Sequence, residues 1–209
     1  MPRYEKFSAE PSGRWVRGTA NGTTIVDSRQ VVLVRSPDHY APRYAFPAAE
    51  VRTDLLTPDA VRAYPELPDH LVVGWDALEH WYEEDEEVFV GPRDPRHRVD
   101  AIRSTRHVEV RVDGELVAET DSPVLVFETG LPVRYYLPPA DVRFDHLTPT
   151  ETRTGCPYKG FASYWTFTGG LAPRVDVAWS YQEPLRESAK IAGYLSFYDT
   201  VAEYTVSPG

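Results

Sequence analysis

The stretch Arg106-His107-Val108-Glu109-Val110-Arg111-Val112-Asp113-Gly114-Glu115-Leu116-Val117-Ala118 decides the fold. From Val108 to Val112 apolar and polar side chains alternate with the two-residue period of a strand buried on one face. Asp113-Gly114 is the dipeptide that tolerates positive φ at both positions of a two-residue hairpin turn. Leu116-Val117-Ala118 then returns as the partner strand. The same device stands earlier in the chain, where Asn21-Gly22 leads into Thr23-Thr24-Ile25-Val26-Asp27-Ser28.

The likeness between the two stretches runs on. Val32-Leu33-Val34 matches Val124-Leu125-Val126, and after a one-residue shift Arg43-Tyr44 matches Arg134-Tyr135 and Pro47 matches Pro138. Ala49-Glu50-Val51-Arg52-Thr53-Asp54-Leu55-Leu56-Thr57-Pro58 matches Ala140-Asp141-Val142-Arg143-Phe144-Asp145-His146-Leu147-Thr148-Pro149. More weakly, Trp75 falls opposite Trp165, Pro95 opposite Pro184, Ile102 opposite Ile191, and Arg106-His107-Val108 opposite Leu195-Ser196-Phe197. Ordered agreement of this kind marks a tandem duplication. It sets a first, degenerate β-rich unit over residues 14–107 and a second over 108–205. No Gly/Ser linker separates them, so the units are expected to pack together.

Most of the remaining chain reads as short strands, and the class is mainly β. Val124-Leu125-Val126-Phe127 is a continuous apolar run, expected to be buried on both faces. Val133 to Leu137 is a strand closed by Pro138-Pro139. Ser163–Phe167 and Val175–Trp179 form a hairpin around Gly169-Gly170. Helix is confined to short pieces: one turn at Pro139–Val142, Leu185 to Ala192 between Pro184 and Gly193, and a helix or turn at Trp81–Glu87. Tyr194–Tyr198 reads as strand.

Composition bounds the function. The chain has 209 residues, 26% of them charged, with a formal net charge of -10. That balance argues against a nucleic-acid backbone as partner. No apolar run approaches the roughly 20 residues of a membrane helix. Met1-Pro2-Arg3-Tyr4-Glu5-Lys6 lacks the apolar core of a signal peptide, and the single cysteine, Cys156, suits a reducing compartment. A cytoplasmic location is expected, with homodimerisation left open. His39, His70, His80, His97, His107 and His146 show no HExxH or CxxC pattern, so no metal site is expected. Phosphate-binding glycine loops and a G-x-S-x-G elbow are missing too, and no cofactor is expected. The acidic run Glu83–Glu87 reads as a solvated face, with cation binding or an interaction surface as its alternatives.

The second unit carries Thr154-Gly155-Cys156-Pro157-Tyr158-Lys159-Gly160, whose place in the first unit, near Glu66–His70, lacks the Cys, the Lys and both glycines. A cation lowers a neighbouring thiol's pKa, and a desolvated lysine serves as base or nucleophile. The alternative is a plain turn with a small buried Cys156 and a solvated Lys159. Tyr158, Trp165, Trp179, Tyr181, Tyr194, Phe197 and Tyr198 concentrate aromatic rings in the same unit. They suit either a small-molecule pocket or an ordinary β core. Glu128-Thr129-Gly130-Leu131-Pro132 is a turn across which Glu128 and Arg134 pair or point into one cavity. His107 serves as a general base or as a hydrogen-bonded histidine where the units join.

Glu128–Pro132, Cys156–Gly160, Tyr164-Trp165, Ala178-Trp179-Ser180-Tyr181 with Pro184, and Ile191-Ala192-Gly193-Tyr194 with Phe197-Tyr198 together resemble the bacterial "domain of unknown function 427" family. The second unit matches along nearly its whole length. The first, with Trp81–Glu86, Pro92–Pro95 and Arg98–Asp100, is similar to the degenerate copy of two-copy members. The resemblance implies a small antiparallel β-tent-like domain and says little of activity. Its occasional nucleotidyltransferase-like label finds no carboxylate pair with a phosphate loop here. It carries Cys156, Lys159, Trp165, Trp179, Tyr181 and Tyr194 over as the site.

Two functions follow as expectations. One is an enzyme on a small organic metabolite, with Lys159 as base or electrostatic anchor, Tyr181 or Tyr194 as proton donor, and Cys156 as nucleophile or structural residue. Trp165 and Trp179 would wall its pocket, with Tyr158, Arg134, Glu128, Tyr198 and His107 as further ligand-binding candidates. The other is a non-catalytic binding or sensor module using the same pocket.

Overall fold

The computed structural model describes residues 4–209, so the first three residues of the Met1–Lys6 stretch lie outside the described part. Two compact units divide between Pro95 and Arg96. The first holds β1 (Ser8–Pro11), β2 (Val16–Ala20), β3 (Thr23–Ser28), β4 (Val32–Arg35), β5 (Arg43–Pro47), β6 (Val61–Tyr64), β7 (Leu67–Val73), β8 (His80–Glu83) and β9 (Glu86–Val88). The second holds β10 (Val99–Arg103), β11 (His107–Val112), β12 (Glu115–Thr120), β13 (Val124–Glu128), β14 (Arg134–Tyr136), β15 (Leu147–Cys156), β16 (Gly160–Phe167), β17 (Arg174–Tyr181), β18 (Leu195–Phe197) and β19 (Ala202–Ser207). The protein is mainly β. Helix among the described residues is limited to short 3-10 turns, the longest Arg186–Ile191.

In the first unit a five-stranded antiparallel sheet runs β1-β4-β5-β7-β6 and a four-stranded one β3-β2-β8-β9. The Asn21-Gly22 turn joins β2 to β3, with φ of 50° and 69° at its two residues. Val16, Val26, Leu33, Phe46 and Trp81 build one core between neighbouring strands. Each such side chain stabilises by about 1.5–3 kcal/mol through the apolar surface it removes from water. Val34, Ala45, Tyr64 and Val72 form a second, smaller core.

In the second unit three antiparallel sheets run β12-β11-β19, β10-β13-β14 and β15-β16-β17-β18. Asp113-Gly114 turns β11 into β12 with φ of 51° and 83°. Along β11 the valines are buried and the intervening His107, Glu109 and Arg111 face outward, the alternation expected from their spacing. Val110, Val117, Leu137, Phe167 and Phe197 belong to one core. Val126, Tyr136, Tyr164, Trp179 and Tyr181 belong to another.

Three local expectations change. Trp81–Glu87 is no helix: β8 and β9 form a hairpin that pairs Trp81 with Val88 and Glu83 with Glu86, with Glu84 at positive φ in the turn. The ladder buries Trp81, leaves Glu84–Glu87 exposed, and turns Glu83, on the face of Trp81, toward the Tyr44 hydroxyl. Leu185–Ala192 narrows to a 3-10 segment. Phe127 is exposed, unlike Val124, Leu125 and Val126 before it.

Candidate functional site

Lys159 sits in the turn between β15 and β16, where Cys156 pairs with Gly160 and the Lys159 amide donates to the Cys156 carbonyl at 3.3 Å. Gly160 takes φ +94°, and a Cβ there would meet the Glu183 carbonyl at 3.3 Å. The glycine therefore lets the Leu185 amide reach the Lys159 carbonyl at 3.1 Å. This closed turn directs the Lys159 ammonium inward. It donates to Glu128 Oε2, and both side chains are more than nine-tenths buried, at 9% and 5% exposure.

Glu128 ends β13 opposite Val99 of β10. That ladder brings His97, just ahead of β10, to the other carboxylate oxygen, with Nε2 at 3.0 Å from Oε1. The His97 ring lies 4.3 Å from that of Tyr158, centroid to centroid. Burial works against the Glu128 charge. The Lys159 ammonium and the His97 hydrogen bond outweigh it and hold the carboxyl below its ordinary range.

The aromatic part belongs to one face of the β15–β18 sheet. Tyr164 and Trp179 are direct cross-strand partners. Trp179 donates its indole N–H to the Tyr136 hydroxyl at 3.0 Å and packs on Tyr198 with ring centroids 4.5 Å apart. Tyr181 lies within electrostatic reach of Tyr136, Cys156, Tyr164 and Glu128. Burial pushes the Tyr181, Tyr136 and Tyr198 phenols well above their ordinary range, so near neutrality they carry protons. The face therefore offers hydroxyl groups that donate or accept hydrogen bonds, not phenolate bases. Cys156 and Tyr194 pack at its margin, both partly buried. The Arg134 guanidinium lies 5.8 Å from the Trp179 ring centroid.

The expected residues separate accordingly. Lys159, Glu128, Tyr158, Cys156, Trp179, Tyr181, Tyr194, Tyr198 and Arg134 gather around this core and its buried ion pair. Trp165 does not: it packs on the opposite core with Phe167 and Ala178. Arg134 pairs with Asp199 at 2.9 Å, so the expected Glu128–Arg134 pair gives way to Glu128–Lys159. His107 stands on the outward face of β11, where Nδ1 contacts Asp121 at 2.7 Å and Nε2 lies 3.6 Å from both Glu109 and Glu119. His107, Glu109 and Glu119 place one donor atom each within 4.8 Å of one another, a group with the ligand types to hold a cation.

Sequence reasoning missed Tyr136 and His97. Tyr136 shares the strand face of Arg134 two residues away, so the period of β14 could have found it. His97 has no such signal, because only the β10–β13 ladder brings it to Glu128.

Residues 100–207 match the family described as Domain of unknown function (DUF427). The chain belongs to this family. The match takes in Glu128, Lys159 and the whole aromatic face of this DUF427 protein, and leaves its N-terminal half outside. No curated protein matches the sequence. No helix among the described residues is long and apolar enough to cross a membrane.

Proposed function

We propose that the second unit binds a small organic molecule against the aromatic face of Tyr136, Tyr164, Trp179 and Tyr181, with the Lys159–Glu128–His97 group as its polar end. The observation that supports this most is the combination of a buried, hydrogen-bonded ion pair with one aromatic cluster in which the Trp179 indole N–H donates to the Tyr136 hydroxyl and burial keeps the Tyr181 phenol protonated. An ordinary apolar core needs none of these groups, and burying a charge pair costs desolvation that a purely structural role leaves poorly offset. Because its ammonium is paired to Glu128, Lys159 serves as an electrostatic anchor for an oxygen of the ligand. The phenols supply hydrogen-bond donors and the indole a flat wall.

A panel of cytosolic metabolites screened by thermal shift tests this reading, since a ligand of the native state raises its apparent stability. A hit should lose its shift in Trp179→Ala and weaken in Tyr181→Phe. A panel without hits, or hits indifferent to both substitutions, overturns it. A catalytic reading of the same site is favoured by Lys159, the one buried lysine among the described residues. It requires that Lys159→Met abolish turnover of the ligand while an aromatic-face contact still binds it. We place the protein in the cytoplasm on the strength of its lone cysteine.

We also infer a tandem duplication of a β-tent-like module, and the ladders support it in a register that the sequence likeness only begins. β1 lies on β4 as β10 lies on β13, and β2 joins β8 as β11 joins β19. The isolated bridge Val26–Val51 repeats as Ala118–Val142. Phe46 faces Leu71 as Leu137 faces Leu195. On this register β6 and β7 correspond to β17 and β18, Tyr64 to Tyr181 and Arg62 to Trp179. Leu195–Phe197 then answers to Leu71–Val73, not to Arg106–Val108, and Trp75 is no counterpart of Trp165. The β15–β16 hairpin bearing Cys156, Lys159 and Tyr164 is an addition of the second unit.

A further inference from the structure

The first unit contains a polar cluster of a different kind. Arg43 of β5 donates from Nη2 to Ser36 Oγ at 2.8 Å and to the Tyr64 hydroxyl. The Tyr64 hydroxyl lies 3.1 Å from Ser36 Oγ. Asp38, on the loop that joins β4 to β5, places one carboxylate among these groups. It accepts from Tyr64 at 3.2 Å, from Arg43 at 3.4 Å and from Arg62 at 2.6 Å. Both guanidinium groups also lie against the Tyr64 ring, at 5.4 and 5.2 Å from its centroid.

Donors exceed acceptors here. Two guanidinium groups and two hydroxyls share a single carboxylate. Arg43 Nε is buried and has no hydrogen-bond partner among the described residues, whereas buried donors are paired in the great majority of cases. Burial lowers the Arg43 guanidinium from its ordinary value, and Asp38 only partly opposes that. The Asp38 side chain is itself one-third exposed, at 32%, so it reaches the cluster from the surface and is not locked in the interior.

We propose that Ser36, Arg43, Arg62 and Tyr64 form a binding site for the carboxylate or phosphate group of a small molecule, and that Asp38 fills it as an internal stand-in. A planar carboxylate or a phosphate matches the fork geometry of two arginines. An entering oxyanion would take the hydrogen bonds of Asp38 and supply an oxygen to Arg43 Nε, which now lacks one. The site is separate from that of the second unit and does not rest on the reading given there.

The test removes the stand-in. Asp38→Ser frees both arginines while keeping a small polar side chain. Inorganic phosphate and succinate, titrated separately by calorimetry into the full-length chain, distinguish the two oxyanion classes. At least one should bind the variant ten-fold or more tightly than the wild type. Adding Arg43→Met to Asp38→Ser should abolish that binding. Equal, weak binding of both anions by the variant and the wild type overturns the proposal. Should Asp38→Ser fail to fold, the Arg43 and Arg62 Nε–Hε resonances of the wild-type chain are followed against phosphate and succinate. Saturable shifts confined to these two arginines support the site, and their absence overturns it.

Discussion

In the proposed duplication register, the second unit's Trp179 corresponds to the first unit's Arg62, Trp179 standing opposite Ser196 and Arg62 opposite Val72. Around Trp179 the neighbours are Tyr136, Tyr198 and Tyr164, with the Arg134 guanidinium 5.8 Å from its ring centroid. Around Arg62 they are Tyr64, Arg43, Ser36 and Asp38. On that register the two positions share a place in the backbone scheme, while the chemistry presented there differs. One is made of aromatic rings, among which burial keeps the Tyr136 and Tyr198 phenols protonated, the other of forked cations. What a strand framework positions is therefore decided by a few alternating side chains, and similarity of fold alone would assign both units one function.

The comparison breaks most easily at its buried charges. Lys159→Met leaves the Glu128 carboxylate buried beside His97 alone, and loss of one partner of such a pair costs about 3–5 kcal/mol. Arg35→Met is the matching change in the first unit. Arg35 is bound to Asp94 through two contacts of 2.6 Å and to Glu10 at 2.7 Å. Urea denaturation should show comparable losses for both. A loss below about 1 kcal/mol in Lys159→Met would mean that the Glu128–Lys159 pair is solvated, as exposed pairs are, and would remove the polar end from the proposed site. Glu128→Gln combined with Lys159→Met should recover part of the loss, because no lone charge is then left inside.

At the paired position the two units should respond unequally. Trp179→Ala removes a buried indole that packs on Tyr136 and Tyr198, for a cost of about 3–5 kcal/mol. Arg62→Ala, at a side chain more than half exposed, should change stability by no more than about 0.5 kcal/mol. Equal effects in the same denaturation experiment would show that the ladder correspondence misjudges which position is interior. A smaller effect separates the closing strands. The Tyr204 hydroxyl of β19 donates to the Phe197 carbonyl and accepts from the Phe197 amide, at 2.9 and 3.0 Å, while Trp81 of β8 gives the Trp75 carbonyl a single hydrogen bond at 2.9 Å. Tyr204→Phe leaves two backbone groups without their partner and should cost about 1–3 kcal/mol.

Much of the fold was legible because its decisive signals are local. Asn21-Gly22 and Asp113-Gly114 need positive φ at adjacent residues, and the valines of β11 alternate without interruption. The candidate site was legible in composition but not in orientation. Trp165 and Trp179 look alike as sequence, yet the β16–β17 register sets Tyr164, not Trp165, across from Trp179. Nothing near Trp165 in the chain reveals that choice, since it depends on which residue of a neighbouring strand it faces. The Glu128–Lys159 contact was hidden for the same reason. Arg134 was the nearer cation along the chain, but Lys159 arrives through the β15–β16 hairpin, and Arg134 turns to Asp199. The Trp81–Glu87 segment misled through its acidic run, which has no period of its own until β8 and β9 pair.

The gentlest probe of the comparison is acid. The Glu128 carboxyl is held below its ordinary value of 4.5, so the unfolded chain binds a proton there more readily than the native one. Stability therefore rises with pH between the native and the unfolded values, is fully present above the unfolded value, and is lost as pH falls through the native one. Asp38 in the first unit is also held low, where hydrogen bonding from Ser36 and the charges of Arg43 and Arg62 outweigh the burial that opposes ionisation. Both carboxylates thus contribute to the acid limb of the stability curve. Glu128→Gln and Asp38→Asn, measured by urea denaturation at pH 7 and again near pH 3, should each flatten that limb. The larger change belongs to Glu128, whose side chain is more deeply buried than that of Asp38. An unchanged acid limb in Glu128→Gln would show that the carboxyl gains nothing from Lys159 in the native state. The buried pair would then lose its place at the centre of the second unit's site.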